Sequence, residues 1–244
     1  MCEKYPKYIF DSFKLSDKVA KLEDHHIHLF SVNSRIYDEK KSYSDYFLDD
    51  DEQNRAMQFR FRKDHDLFVL GRYITKVILS HYTDGSPEKV KITLGETGKP
   101  GSGLNYFFNI SHSEDQLLLG FSKSEIGVDI EKTDRKTNIE KIGQSHFSDT
   151  EYRYMMKCID TKRADAFFEI WTKKESLIKG IGKGLHIPLK IFDVTSPNGM
   201  VLWKMPTEVN YGTWYVQNLA VKEGFKAAFA TPNPECRLSL FMLR

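Results

Sequence analysis

Cysteine is scarce in this chain: Cys2, Cys158 and Cys236 are the only three in 244 residues, widely spaced and without a Cys-x-x-Cys pair. That pattern excludes a disulfide-stapled scaffold and gives no support to a zinc site. Reduced thiols in a cytoplasmic protein are the simplest account. Long hydrophobic runs are missing too. No apolar stretch approaches the ~20 residues of a membrane-spanning helix, and Met1 to Ser16 mixes charges with aromatics rather than forming an apolar leader. No membrane partner is therefore expected. A charge excess of either sign is also lacking. The 36 Lys and Arg against 34 Asp and Glu leave a formal net charge of +2, far from the basic surplus of a dedicated nucleic-acid binder. What is present is 40% hydrophobic and 29% charged, enough for one large domain or two small ones with real cores.

The chain contains no low-complexity segment or long linker, so its organisation is read from the order of elements. A strand is expected at His26 to Val32 and a helix at Asp45 to Arg60, with Asp49, Asp50, Asp51 and Glu52 in its early turns. Asp64 to Ser80 is the clearest helix, with Leu67, Phe68, Leu70, Ile74, Val77 and Ile78 on its buried face. Strands at Val90 to Leu94, Tyr106 to Ser111 and Gln116 to Phe121 follow. The pattern then starts again: a strand at Gly127 to Glu131, and helices at Ile139 to Gln144, Asp149 to Lys157 and Thr161 to about Gly180. Strands at Lys190 to Val194, Thr213 to Val221 and Lys226 to Ala230 close it. Strand, helices and antiparallel strands, twice over, make an α+β chain with its seam near Ser122 to Ile126.

Two short stretches carry the chemistry. In Gly127-Val128-Asp129-Ile130-Glu131-Lys132, apolar Val128 and Ile130 alternate with Asp129 and Glu131, which puts two carboxylates side by side on one face of a strand. In Trp171 to Lys179, the residues Trp171, Glu175 and Lys179 share one side of a helix at i, i+4 and i+8. Singly, the first pattern reads as a solvated strand face and the second as a surface ion pair. If strand and helix pack together, three carboxylates converge beside an ammonium group. They cannot all stay ionised unless something positive joins them. A hard divalent cation with oxygen ligands, most simply Mg2+, is the natural candidate, and it would clamp a substrate phosphate.

Order and spacing sharpen this. Gly-Val-Asp-Ile-Glu, then Phe147-Ser148-Asp149-Thr150-Glu151-Tyr152, then Trp-x-x-Lys-Glu-Ser-x-x-Lys resembles the 4'-phosphopantetheinyl transferases, in particular the large pseudo-dimeric type that primes nonribosomal peptide and polyketide synthases. Gly98-Lys99-Pro100, Phe108 to Ser113 and Gly182-Lys183-Gly184-Leu185 extend the resemblance over roughly residues 55 to 190. It implies two similar subdomains, residues 1–123 and 124–244, each an antiparallel sheet with packed helices, related by a pseudo-twofold with the active site in the cleft between them. The implied reaction moves phosphopantetheine from coenzyme A to a serine of an apo acyl or peptidyl carrier protein, in a monomeric enzyme. Mg2+ would be held by Asp129, Glu131 and Glu175. Lys179 would reach the phosphates as a cation or as the proton source for the leaving group. A serine hydroxyl needs a base, for which Glu175 and Glu151 are both candidates.

The resemblance also implies coenzyme A contacts: Ser111 and His112 on its phosphates, Lys99 at the adenine nucleotide end, Arg55 at the 3'-phosphate, and Lys174 and Lys179 from the helix. The chain departs from the family in one place. Leu67 stands four residues before Gly71, where an arginine is common, and Arg60, Arg62 or Arg72 would have to substitute. Asp24-His25-His26-Ile27-His28 has no counterpart in the family and is read as incidental. Two rival functions are a non-catalytic module that binds coenzyme A or carrier proteins, and a metal-dependent nuclease. The first predicts a lost metal ligand, and all three carboxylates are present. The second usually sets Glu and Lys two apart on a strand, whereas Glu175 and Lys179 are four apart on a helix.

Overall fold

The computed structural model describes residues 19–37, 42, 46–133, 138–183, 186–203 and 211–243. Gly184 and Leu185 of the sequence motif, and the expected helix start at Asp45, lie outside them. The chain divides into two compact units. The first runs to Leu94, resumes at Pro100–Lys123 and ends with the residues from Arg237; the second is Gly95–Lys99 with Ser124–Cys236. A break falls between Lys123 and Ser124, where the division was expected, but Gly95–Lys99 belongs to the second unit and the last strand of the chain to the first.

In the first unit, β1 (His26–Asn33) is followed by α1 (Asp50–Met57) and α2 (Arg62–Thr83). Then come a short pair β2 (Thr93–Leu94) and β3 (Pro100–Gly101), and β4 (Phe107–Ser113) and β5 (Gln116–Ser122). α1 is shorter than its acidic run suggested, since Asp49 sits outside the helix as its cap. Its side chain accepts from the Glu52 amide while Glu52 reaches back to the Asp49 amide, and the acidic first turn suits the positive end of the helix dipole. α2 buries Leu67, Leu70, Ile74 and Ile78, each at most 3% exposed. It meets the sheet closely at Gly71, where a Cβ would lie 3.4 Å from the Leu117 side chain. Most of the expected strand at 90–94 is not strand: Pro87–Lys89 makes a turn of 3-10 helix and only Thr93–Leu94 pairs.

The longest strand absent from the sequence reading is β11, Arg237–Leu243. It joins β1 in parallel register, His26 opposite Arg237 through Val32 opposite Leu243. The four-stranded sheet runs β11-β1-β5-β4 with its other pairings antiparallel, so it is mixed rather than purely antiparallel. Stacking of Phe30 on Phe241, ring centres 4.8 Å apart, ties the late strand into the core.

The second unit holds β6 (Gly127–Lys132), α3 (Ile139–His146), α4 (Asp149–Lys157), α5 (Asp160–Ile181), a short pair β7 (Phe192–Asp193) and β8 (Leu202–Trp203), β9 (Tyr215–Leu219) and β10 (Phe225–Thr231). The sheet order is β6-β10-β9, all antiparallel. α5 lies across β6 and β10 and ends at Gly182, whose φ of 78° is the left-handed cap that glycine takes without strain. The strand expected at 190–194 shrinks to two residues because Leu189–Ile191 forms a 3-10 turn, and the carbonyls of Leu189 and Phe192 turn to a lysine of α5. Among the described residues no helix is long and apolar enough to cross a membrane.

Candidate active site

Helix and strand meet here through a glycine contact. A Cβ on Gly127 would fall 1.8 Å from the Ser176 carbonyl oxygen and 2.4 Å from the Gly180 nitrogen, so α5 rests directly on the β6 backbone. Side chains alternate along a strand, and Asp129 and Glu131 therefore share the helix-covered face with Gly127. That face is covered, and Asp129 is 3% exposed. Lys179, half-buried on α5, donates to Asp129 Oδ1 at 2.6 Å. Glu175, one turn earlier, is held in the same field. Burial first, and then repulsion from Asp129 and Glu131, push its carboxyl from 4.5 up to about 7 against the opposing pull of Lys179. Asp129, Glu175 and Lys179 are thus brought together, with Glu131 near enough to be felt.

Among the described residues, no group of three or more His, Cys, Asp or Glu is arranged as a ready metal site. The donor set nonetheless fits a hard cation, being carboxylate oxygen alone, and a carboxyl pushed up to about 7 is one that a divalent ion would return to its ionised form.

A sign follows from that shift. The folded-state value lies above the unfolded one, so between about pH 4.5 and 7 the unfolded chain releases a proton that the folded chain keeps. Metal-free stability should fall as pH rises through that window and stay low above it. Glu175→Gln removes the effect. Its melting temperature should exceed wild type at pH 8 by roughly 2–8 °C, from about 1–2 kcal/mol after allowance for partial exposure, and the gap should close near pH 5. A gap that does not vary with pH would contradict the assignment.

Two expected site residues are placed elsewhere. Glu151 and Lys174 are both fully buried, and Lys174 Nζ lies 2.8 Å from Glu151 Oε2. Lys174 also donates to the carbonyls of Leu189 at 2.8 Å and Phe192 at 2.9 Å. Glu151 accepts from the amides of Ser148 at 2.7 Å and Val194 at 2.9 Å. Neither side chain reaches solvent, which corrects both the base role for Glu151 and the cofactor contact for Lys174. A signal was present in the sequence: Ser148-x-x-Glu151 is a helix capping box, and Ser148 and Glu151 form it at the start of α4.

Lys99 belongs to the second unit and donates to the Gly180 carbonyl at 2.5 Å, while Thr97 donates to the Gly182 carbonyl. Both satisfy carbonyls at the C-terminus of α5, where a cation also suits the dipole. Burial lowers the Lys99 ammonium below its usual value. In the first unit, Ser111 is buried and His112 exposed on β4, and Arg55 is exposed in the last turn of α1. The Arg55 and Arg72 guanidiniums lie 5.8 and 5.2 Å from the centre of the same Phe68 ring. His28 is a core residue, hydrogen-bonded to Tyr82 at 2.8 Å and lowered by burial to about 3, in keeping with an incidental histidine run.

Carboxylates and a lysine gathered where a long helix crosses a strand are the equipment of an enzyme that moves a phosphate-linked group. Comparison with known proteins makes that particular. A model of the 4'-phosphopantetheinyl transferase superfamily matches residues 125–230, and a model of the 4'-phosphopantetheinyl transferase N-terminal region matches 39–123. The 4'-phosphopantetheinyl transferase Sfp of Bacillus subtilis (strain 168) is 29% identical over 192 residues, 78% of this chain and 84% of its own. The 4'-phosphopantetheinyl transferase gsp of Aneurinibacillus migulanus is 34% identical over 131 residues, covering 53% of this chain and 54% of its own. The chain belongs to the 4'-phosphopantetheinyl transferase superfamily, and it is a transferase of that group.

Proposed function

We propose that the enzyme takes 4'-phosphopantetheine from coenzyme A and places it on a serine of an apo acyl or peptidyl carrier protein, with Mg2+ held by Asp129, Glu131 and Glu175. The observation that carries this reading is the Asp129–Lys179 contact at 2.6 Å beside a Glu175 whose carboxyl is pushed up to about 7. Mg2+, when bound, would supply positive charge to the pyrophosphate oxygens. The serine oxygen attacks the β-phosphorus, the bond to the bridging oxygen breaks, and adenosine 3',5'-bisphosphate leaves. Lys179 carries an ammonium that favours the charge growing on the leaving phosphate. Of the two candidate bases, the complete burial of Glu151 supports Glu175, which is only partly buried. The same reading takes the enzyme as a cytoplasmic monomer. Incubating a panel of apo carriers with coenzyme A and Mg2+, and reading the added phosphopantetheine by mass spectrometry, tests it. A panel left wholly unmodified would overturn it.

The 3'-phosphate anchor follows from the departure at Leu67, which is 2% exposed in the core of the first unit. Arg62 is engaged with Asp66 at 3.1 Å and Arg72 is buried beside Glu52, while Arg55 and Arg60 are both exposed, each with its guanidinium near one aromatic ring. Arg55 is taken as the anchor because it is the position that the family resemblance matches. Wild type should then prefer coenzyme A over its 3'-dephosphorylated form. Arg55→Ala should lose roughly ten- to a hundredfold of coenzyme A affinity, the worth of one charge-assisted contact of about 1.5–3 kcal/mol, while binding of the dephosphorylated form is unchanged. Equal losses for both ligands in a competition assay would place the anchor elsewhere.

A further inference from the structure

The strongest feature that the reaction does not use is the ion pair inside the second unit. Lys174 is the immediate neighbour of Glu175, so the two side chains leave α5 about 100° apart. On one side, α5 rests on β6 through the backbone contact of Ser176 and Gly180 with Gly127. On another, the Lys174 ammonium is held by Glu151 Oε2 and by the carbonyls of Leu189 and Phe192, with the Phe192 ring 4.2 Å from its nitrogen. The far end of this anchor is itself fixed. Glu151 is bound by the Ser148 and Val194 amides, and Ser148 Oγ donates to Asp193 Oδ2 at 2.7 Å.

A buried ion pair is a weak source of net stability, because desolvation offsets most of the attraction. What this one does supply is direction. We propose that the Glu151–Lys174 pair is a positioning device that fixes the rotation of α5 about its own axis and so holds Glu175 against Asp129. The proposal rests on the transferase reading above. A roll of about 20° would carry a carboxylate, roughly 6 Å from the helix axis, by about 2 Å. Misplacement of about 1 Å is enough for a hundredfold loss of rate. Neither residue touches substrate; both act through Glu175.

The test removes both charges while keeping an acceptor for the amides: the double variant Glu151→Gln/Lys174→Met, with Glu151→Gln alone in parallel. The control is Val216→Ala, a core truncation on β9 in the same unit that leaves the anchor intact. Folding is checked by circular dichroism and melting. The double variant should show kcat at least tenfold below the control, with KM for coenzyme A within about threefold. Its affinity for Mn2+, read by electron paramagnetic resonance in the absence of substrate, should fall at least tenfold. Folded variants matching the control in both readouts overturn the proposal, as does unfolding of both variants, which would make the pair a stability element only. If wild type modifies no carrier, the transferase reading fails instead. The Mn2+ titration then decides the positioning claim alone: a loss in the variant upholds it, and parity with the control overturns it.

Discussion

Asp129→Ala and Glu175→Ala are each expected to reduce carrier modification at least about 10²–10³-fold, the scale on which a preorganised electrostatic group acts in a transition state, while leaving the fold in place. Asp129 is the buried partner of Lys179, and the Glu175 carboxyl is pushed up by burial and then by Asp129 and Glu131. Neither substitution opens an apolar cavity. Removing one of three crowded carboxylates also relieves repulsion, so the metal-free melting temperature of Glu175→Ala should not fall at alkaline pH. Chelation by EDTA should stop wild-type turnover and added Mg2+ should restore it, with no restoration in either variant. Activity near wild type in either variant, with metal supplied, would refute the site.

The second large effect is steric. Gly127→Ala forces a methyl to within 1.8 Å of one backbone atom of α5 and 2.4 Å of another. Backbone cannot turn aside as a side chain can, so the helix must lift from the strand. The expected cost is at the upper end of the roughly 1–3 kcal/mol of overpacking or beyond it, and transfer should be lost because Asp129 and Glu175 sit on the two surfaces being parted. Gly180→Ala should cost less, since its nearest obstacle at 2.8 Å is the Trp214 side chain. Gly71→Ala in α2 meets only ordinary contacts from 3.4 Å outward, and should be neutral or stabilising by up to about 1 kcal/mol through helix propensity. Urea unfolding of the three variants reads that order directly, and any other order would mean that the helix–strand contact is not the constraint it is taken to be.

Much of this site was legible in the sequence. The alternation around Asp129 and Glu131 and the four-residue step from Glu175 to Lys179 define faces, and faces are what periodicity encodes. Less legible was depth. Glu151 and Lys174 carry the charges of catalytic residues, and only tertiary packing makes them interior. The one local clue was the capping box at Ser148, which assigns Glu151 a structural duty before any chemistry is invoked. Long elements such as α2 and α5 were found because many residues vote for each. Short ones such as β2 and β7 depend on a few hydrogen bonds, and Lys174 diverts carbonyls beside β7. β11 escaped because its partner lies at the other end of the chain, and nothing local announces a parallel pairing.

That pairing has a consequence for how the molecule comes into being. β1 lies early in the sequence, yet its parallel neighbour is encoded about two hundred residues later. As the chain is synthesised from its N-terminus, the residues of the second unit are complete before the first unit has its last strand. Until then β1 presents one open edge, with Leu29 and Phe30 unprotected by Leu240 and Phe241. The first unit therefore cannot complete its sheet until the residues of the second unit have been made.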